Sequence, residues 1–201
     1  MSLRFQKMHG AGNDFMLLDL RSATQRVAAP PLEAERIRAW GDRNTGIGFD
    51  QLLVLEPHED PAIEARVRIW NADGSSAEQC GNGMRAIGLY LSDIHAGEQR
   101  CFRLATPTAL ITATHVAGEQ VRVEMGHADF SARNVPYTGP QADADRSYSL
   151  SILNQILRFG VLSMGNPHAV LEVEDVKQAP VRAQGEALRS SELFPQSCNV
   201  G

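Results

Sequence analysis

Apolar positions along the chain change period several times, and each change predicts an element. Phe15 to Leu20 is a short apolar run bounded by Gly-Asn on one side and Arg-Ser on the other, which predicts a mostly buried strand. Pro30-Pro31 then stop the chain. From Leu32 to Trp40 the pattern predicts a short helix, with Pro31 suited to its first turn, Gly41 to its C-terminal cap, and Ala34, Ile37 and Trp40 turned inward. Gln51 to Leu55 predicts another strand. Ala65 to Trp70 alternates Val67 and Ile69 with Arg66 and Arg68, so that strand should have one buried and one wet face. Beyond "NADGSSAEQCGNG", the run Met84 to Leu91 places Met84, Ile87 and Leu91 on one helical face, which puts Cys80 at or just before a helix N-terminus. Leu110 to Val116 and Val121 to Met125 flank Ala117-Gly118-Glu119-Gln120 and predict a hairpin. Phe159 to Met164 and His168 to Val173 are further strand candidates, followed by a helical stretch from Pro180 to Leu193. This mixture fits an α+β protein better than a regular parallel sheet.

The polar stretch Asn134 to Arg146 marks a boundary region between two lobes, which we place at residues 1–126 and 127–201. A faint repeat supports that division. Gly12-Asn13-Asp14-Phe15 and Gly165-Asn166-Pro167-His168 each lead into an apolar strand and then a proline-started helix, although four residues of likeness are no more than chance supplies. The first copy is followed by the cysteine loop, whereas the second reaches Gly201 before any such loop.

Composition narrows the function classes. The chain has 201 residues, 43% of them hydrophobic, a formal net charge of -5 and scattered basic residues, so nucleic acid is not an expected partner. No apolar run approaches the roughly 18 residues of a membrane span and no secretory leader is evident, which predicts a cytoplasmic protein without a membrane partner. Cys80, Cys101 and Cys198 are far apart with no CxxC pair, so each is treated as a separate thiol and no metal site is expected.

The loop "AEQCGNGMR" carries the candidate chemistry. Amide N–H groups and the positive dipole end at a helix start favour an anion, either a thiolate or a substrate carboxylate, and can lower a cysteine pKa well below about 8.5. Gly81 and Gly83 remove Cβ atoms that would obstruct a ligand or unusual dihedrals, and Asn82 offers a donor and an acceptor. The sulfur could attack carbon with help from His9, His115, His127 or His168, or it could only move a proton, which needs fewer partners. Free cysteine is more often a small buried hydrophobe, and Cys101 and Cys198 keep that role. Taken singly, Asn13, Asn71, Asn82, Asn166 and Asn199 are ordinary turn residues, His168 a structural hydrogen-bonding residue and Gln51 an exposed strand start.

Taken together, "MHGAGNDF", "GIGFDQLLV", "NADGSSAEQCGNGMR" and "SMGNPHAV" resemble the diaminopimelate epimerase family, in order and at compatible spacing, from Lys7 to Gly201. The resemblance implies an isomerase that interconverts LL- and meso-diaminopimelate without pyridoxal phosphate, metal or other cofactor, on the route to lysine and peptidoglycan. It implies two similar α+β lobes of mixed sheet around a central helix, and two cysteines facing opposite sides of one α-carbon. By the same likeness Cys80 is the first catalytic cysteine, and Gly81 and Asn82 hold the α-amino-acid end of the substrate. Asn13, Gln51 and Asn71 are implied as first-lobe substrate contacts, Asn166 and Asn199 as second-lobe contacts, and His168 as a residue tuning the cysteine pair. The family commonly forms homodimers.

The family's second cysteine and the Glu-Arg pair before it have no counterpart in this chain, and Cys198, which precedes the "NVG" motif, is not that cysteine. Ala86 and Ala169 stand where some members have further cysteines. The expectation is therefore that the complete protein is an epimerase and that these 201 residues alone are inactive, with a truncated second lobe that leaves strand edges uncovered. A two-thiol racemase for another amino acid and a non-catalytic amino-acid-binding module are the competing expectations.

Overall fold

The continuous apolar run at Phe15–Leu18 is explained by a strand buried on both faces. In the computed structural model, which describes residues 2–96, 100–131, 134–140, 142–143, 147–152 and 155–201, the chain forms two compact units, Met1–Met125 and Gly126–Gly201. In the first unit β1 (Gln6–Gly10) and β2 (Asn13–Asp19) form an antiparallel hairpin turned at Ala11-Gly12. β2 then runs parallel to β3 (Gln51–Glu56), which pairs antiparallel with β4 (Ala65–Asn71). The two-residue β5 (Ser76–Ala77) folds back on β4, and β6 (Cys101–Ala105), β7 (Leu110–Ala117) and β8 (Gln120–Glu124) extend the sheet beyond it.

Helix α3 (Gly81–Ile94) covers one face of this sheet, where Phe15, Leu17, Leu53, Leu55, Val67 and Ile69 meet Met84, Ile87 and Leu91. The other face buries Met16, Leu18, Leu52 and Val54 against Ile37 of α2 (Ala34–Gly41) and Phe49. Because successive residues of β2 and β3 supply opposite cores, neither strand shows polar alternation. β4 does alternate: Arg66 and Arg68 are exposed, and the Arg68 guanidinium lies 4.4 Å from the Trp70 ring centroid.

Several elements differ from expectation. The strand β1 was not expected, nor was α1 (Ala23–Ala28), whose Ser22 cap accepts from the Gln25 N–H at 3.3 Å. α2 starts at Ala34, beyond Pro31, and Gly41 is its last helical residue with Asp42 as cap. Ala34 is exposed, because α2 is buried through Ile37 and Gly41, one turn apart, with Trp40 only partly covered.

In the second unit β9 (Tyr148–Ile152), which was not expected, pairs antiparallel with β10 (Gln155–Ser163), and β10 with β11 (Pro167–Val170). β11 ends earlier than the expected Val173. Helix α4 (Val181–Arg189) is shorter than the expected stretch, because the hydroxyls of Ser190 and Ser191 donate to the carbonyls of Glu186 and Leu188 and close the last turn. The chain then adds β12 (Asn199–Val200) parallel to β11. Val135, Tyr148, Phe159, Val161, Leu188 and Phe194 form the core of this unit. Residues 141 and 144–146 of the polar boundary stretch lie outside the described residues.

The four-residue repeat is part of a larger one. β1-β2-β3 and β10-β11-β12 are the same unit: an antiparallel pair, a helix-bearing connection, then a strand parallel to the second member. Both hairpins turn on a left-handed glycine, Gly12 at φ 87 and Gly165 at φ 92. Register then equates residues with little sequence in common: Phe15 pairs with Gln51 as His168 pairs with Asn199, so Gln51 and Asn199 occupy equivalent places. Among the described residues no helix is long and apolar enough to cross a membrane.

Candidate active site

Parallel pairing of β2 with β3, and antiparallel pairing of β3 with β4, bring the first residues of two strands and the last residue of a third to one edge of the first unit. Asn13, Gln51 and Asn71 lie there, and Gln51 Nε2 donates to Asn71 Oδ1 at 3.0 Å. Asn71 Nδ2 donates in turn to Ser75 Oγ at 3.0 Å. The helix α3 begins at the same edge. Asn82 Nδ2 donates to Asn13 Oδ1 at 2.8 Å, and the Arg85 guanidinium donates to Asn82 Oδ1.

Cys80 is the N-cap of α3, half-buried, with its Sγ accepting from the Gly83 N–H at 3.2 Å. Its thiol is not acidified as the helix start led us to expect. Burial raises it above the ordinary cysteine value, outweighing the Gly83 and Asn82 amides and the Arg85 charge that pull it down. The resting species at neutral pH is therefore a thiol, a proton donor. Packing around the two glycines is close: a Cβ at Gly83 would meet Cδ2 of the buried Leu53 at 2.9 Å, and one at Gly81 would meet Sδ of the half-buried Met125 at 2.8 Å.

Behind this edge a charged clasp fixes the two strand starts. Asp14 and Asp50 exchange bonds, each backbone N–H donating to the other's carboxylate at 3.0 and 3.1 Å. Arg43 bridges both carboxylates, at 2.6 Å to Asp14 and 2.7 Å to Asp50, and Lys7 reaches Asp14 at 2.6 Å. Asp14 follows Asn13 and Asp50 precedes Gln51, so the clasp sets where both amides stand. Sequence reasoning missed Asp14, Asp50, Arg43 and Arg85; a carboxylate next to an amide at the mouth of two apolar strands was the available signal. Gln79, next to Cys80, has a buried Oε1 with no partner among the described residues.

The Arg43 hydrogen bonds, aided by Lys7 and opposed by burial, hold the Asp14 carboxyl well below the usual carboxylate range. A carboxyl with a lowered folded-state pKa adds stability above its unfolded value of about 4, and loses it as pH falls towards the folded value. Asp14→Asn is expected to lower stability at pH 7 by about 1 kcal/mol, the pair energy being reduced by solvent screening. The variant should also flatten the decline of Tm below about pH 4, a change that thermal unfolding measured at a series of pH values detects.

In the second unit, His168 Nδ1 donates to the Asn166 carbonyl at 3.0 Å, and Asn199 Nδ2 donates to the Pro167 carbonyl at 3.3 Å. Asn166, His168 and Asn199 are thus gathered at the start of β11. Cys198 belongs to the core of this unit, and burial pushes its thiol up to about 11. Cys101 stands at the other end of the first sheet: Leu104 pairs with Ala65, the first residue of β4, while Asn71 is the last. Among the described residues no cluster of three His, Cys, Asp or Glu side chains could hold a metal ion. A recess of about 520 Å³, lined by Arg4, Asp19, Arg21 and Tyr90, lies at the end of β2 remote from Asn13.

Comparison with known proteins gives the family and the fold. A family model described as diaminopimelate epimerase matches residues 5–131. A diaminopimelate epimerase of Azotobacter vinelandii is 44% identical over 201 residues, covering 100% of this chain and 70% of the relative. One of Pseudomonas aeruginosa is 42% identical, again with 100% and 70% covered. Among solved structures, a hydroxyproline epimerase from Agrobacterium vitis with bound trans-4-hydroxy-L-proline has a TM-score of 0.62 at 14% identity, covering 92% of this chain and 56% of that one. A predicted epimerase from Pseudomonas aeruginosa has a TM-score of 0.58 at 18% identity, covering 97% and 66%. At such low identity these two likenesses concern the fold alone.

Proposed function

The chain belongs to the diaminopimelate epimerase family, a family of isomerases, and from that premise we propose that Cys80 transfers a proton at the α-carbon of diaminopimelate in the cofactor-independent interconversion of its LL and meso forms. The observation that carries this proposal is a half-buried thiol capping the helix that starts among Asn13, Gln51, Asn71 and Asn82.

An amino-acid α-proton is very weakly acidic, so its removal requires donors already in place for the charge that develops on the carboxylate side. The N–H groups at the start of α3, with the positive end of its dipole, and the side-chain amides around them are such donors. Epimerisation needs a base on one face and an acid on the other. With Cys80 as the acid, the opposing base takes the α-proton, the Cys80 thiol delivers its own proton to the other face of the carbanion, and configuration inverts. Cys80 is left as a thiolate accepting from the Gly83 amide, and in the reverse direction that thiolate is the base. The raised thiol suits the donor role, and exclusion of water by the substrate would preserve the basicity of the thiolate.

In the second unit the proposed substrate-side groups are His168, with Nδ1 on the Asn166 carbonyl, and the side chains of Asn166 and Asn199. Cys198 is packed in a core and Cys101 stands at the opposite sheet end, so neither supplies the opposing thiol. The 201 residues by themselves are therefore expected to bind diaminopimelate without inverting it.

Substrate choice tests the proposal. The chain is joined to the segment that its Azotobacter relative carries beyond the matched region, and α-deuterium uptake in D2O is followed by NMR. Uptake by diaminopimelate should exceed uptake by trans-4-hydroxy-L-proline by at least about 100-fold, since a site whose polar groups hydrogen-bond a second amino-acid end discriminates against a ligand lacking it. The opposite order would overturn the assignment.

A further inference from the structure

Arg85 is an anomaly in charge placement. It is the fifth residue of α3, at the end of the helix where the dipole is positive, and no acidic residue occupies the first turn to offset it. The side chain is half-buried, and among the described residues it pairs with no carboxylate. A guanidinium in this position adds its positive potential to that of the helix amides, an arrangement that favours an anion beside it.

Its hydrogen bond to Asn82 also has directional content. An amide oxygen and an amide nitrogen present opposite polarity, and Arg85 donates to Asn82 Oδ1. Asn82 must therefore offer Nδ2 to its neighbour, and it does so to Asn13 Oδ1 at 2.8 Å. Among the described residues that leaves Asn13 Nδ2 as the donor of the pair not engaged in it.

We infer that Arg85 is a positioning residue for the epimerisation: it fixes the polarity of the Asn82–Asn13 amide pair and supplies the unpaired positive charge that draws a substrate carboxylate to the Cys80 loop. This inference rests on the proposed function for its substrate, but its charge effect is readable without one.

The test uses two alkylating reagents of similar size on the chain itself, the anionic iodoacetate and the neutral iodoacetamide, with modification at Cys80 followed by peptide mass spectrometry. Arg85→Gln keeps a donor for Asn82 and removes the charge; it should lower the iodoacetate-to-iodoacetamide rate ratio at Cys80 by roughly tenfold, while Arg85→Lys retains most of it. Cys101, remote on β6, should keep its ratio in every variant. Arg85→Met, which removes both the charge and the donor, should lower the ratio as far and weaken diaminopimelate binding, measured by calorimetry, more than Arg85→Gln does. A purely structural role would change both reagents' rates alike, so an unchanged ratio in Arg85→Gln overturns the inference. Failure of the unsubstituted chain to bind diaminopimelate, with the ratio still falling in Arg85→Gln, would instead count against the proposed function.

Discussion

Cys80→Ser is expected to reduce α-proton exchange in diaminopimelate by about 10²- to 10⁴-fold, the range typical of a lost general acid/base, with almost no loss of stability. The two halves of this expectation come from one geometry. Cys80 caps α3 by accepting from the Gly83 N–H, and serine is among the best N-cap residues, so the hydroxyl can take over the structural duty. It cannot take over the chemical one, because an alkoxide is far less accessible than a thiolate near neutral pH. Deuterium uptake at the α-carbon by NMR, in the chain joined to its relative's remaining segment, measures the first half, and thermal unfolding measures the second. Exchange retained to within tenfold, in a protein that unfolds at the unaltered temperature, would remove Cys80 from the reaction.

Gly46→Ala is expected to destabilise the first unit by on the order of 3 kcal/mol, the upper range for forcing extra volume into a packed site. The loop after α2 curls back over the end of that helix: the Gly46 N–H donates to the Asp42 carbonyl at 3.0 Å, and those of Ile47 and Gly48 donate to the Trp40 carbonyl at 2.8 and 2.9 Å. A Cβ on Gly46 would stand 2.2 Å from the Ala39 carbonyl oxygen and 2.7 Å from that of Trp40. These are backbone atoms, so relief requires the loop to move and the helix carbonyls to lose their partners. The same loop delivers Asp50 and Gln51 to the site edge. Urea unfolding should therefore show the loss of stability, and diaminopimelate binding should weaken along with it. A variant with an unaltered midpoint would show that the loop accommodates the methyl group.

Strands and helices whose burial follows one simple period were legible in the chain. β2, β3, β4 and α3 came from apolar runs and alternations, and the position of Cys80 at a helix start followed from them. β1 was not legible, because its own pattern is weakly apolar and its strand depends on pairing with β2, whereas the alternation Tyr148-Ser149-Leu150-Ser151-Ile152 of β9 was present in the sequence and passed over beside the polar boundary stretch. The premature end of α4 depended on two serine hydroxyls turning back to carbonyls, an alternative that propensity alone does not rank against another helical turn.

The site divides in the same way. The motifs singled out Asn13, Gln51, Asn71, Cys80 and Asn82, but nothing in their spacing placed Gln51 against Asn71 or Asn82 against Asn13; those contacts need the parallel register of β2 and β3. The thiol's pKa departs from the helix-start expectation for a related reason: helix position is a local property, readable from sequence, whereas the burial of Cys80 against the core is a property of the packed fold. By itself the sequence determined the family, the main elements and the identity of the chemical groups, because these depend on residue type and near-neighbour spacing. The tertiary structure alone decided which amides face one another, which carboxylates clasp the strand ends, where the uncompensated charge of Arg85 falls and which protonation state Cys80 rests in, because each depends on distances between atoms far apart in the chain.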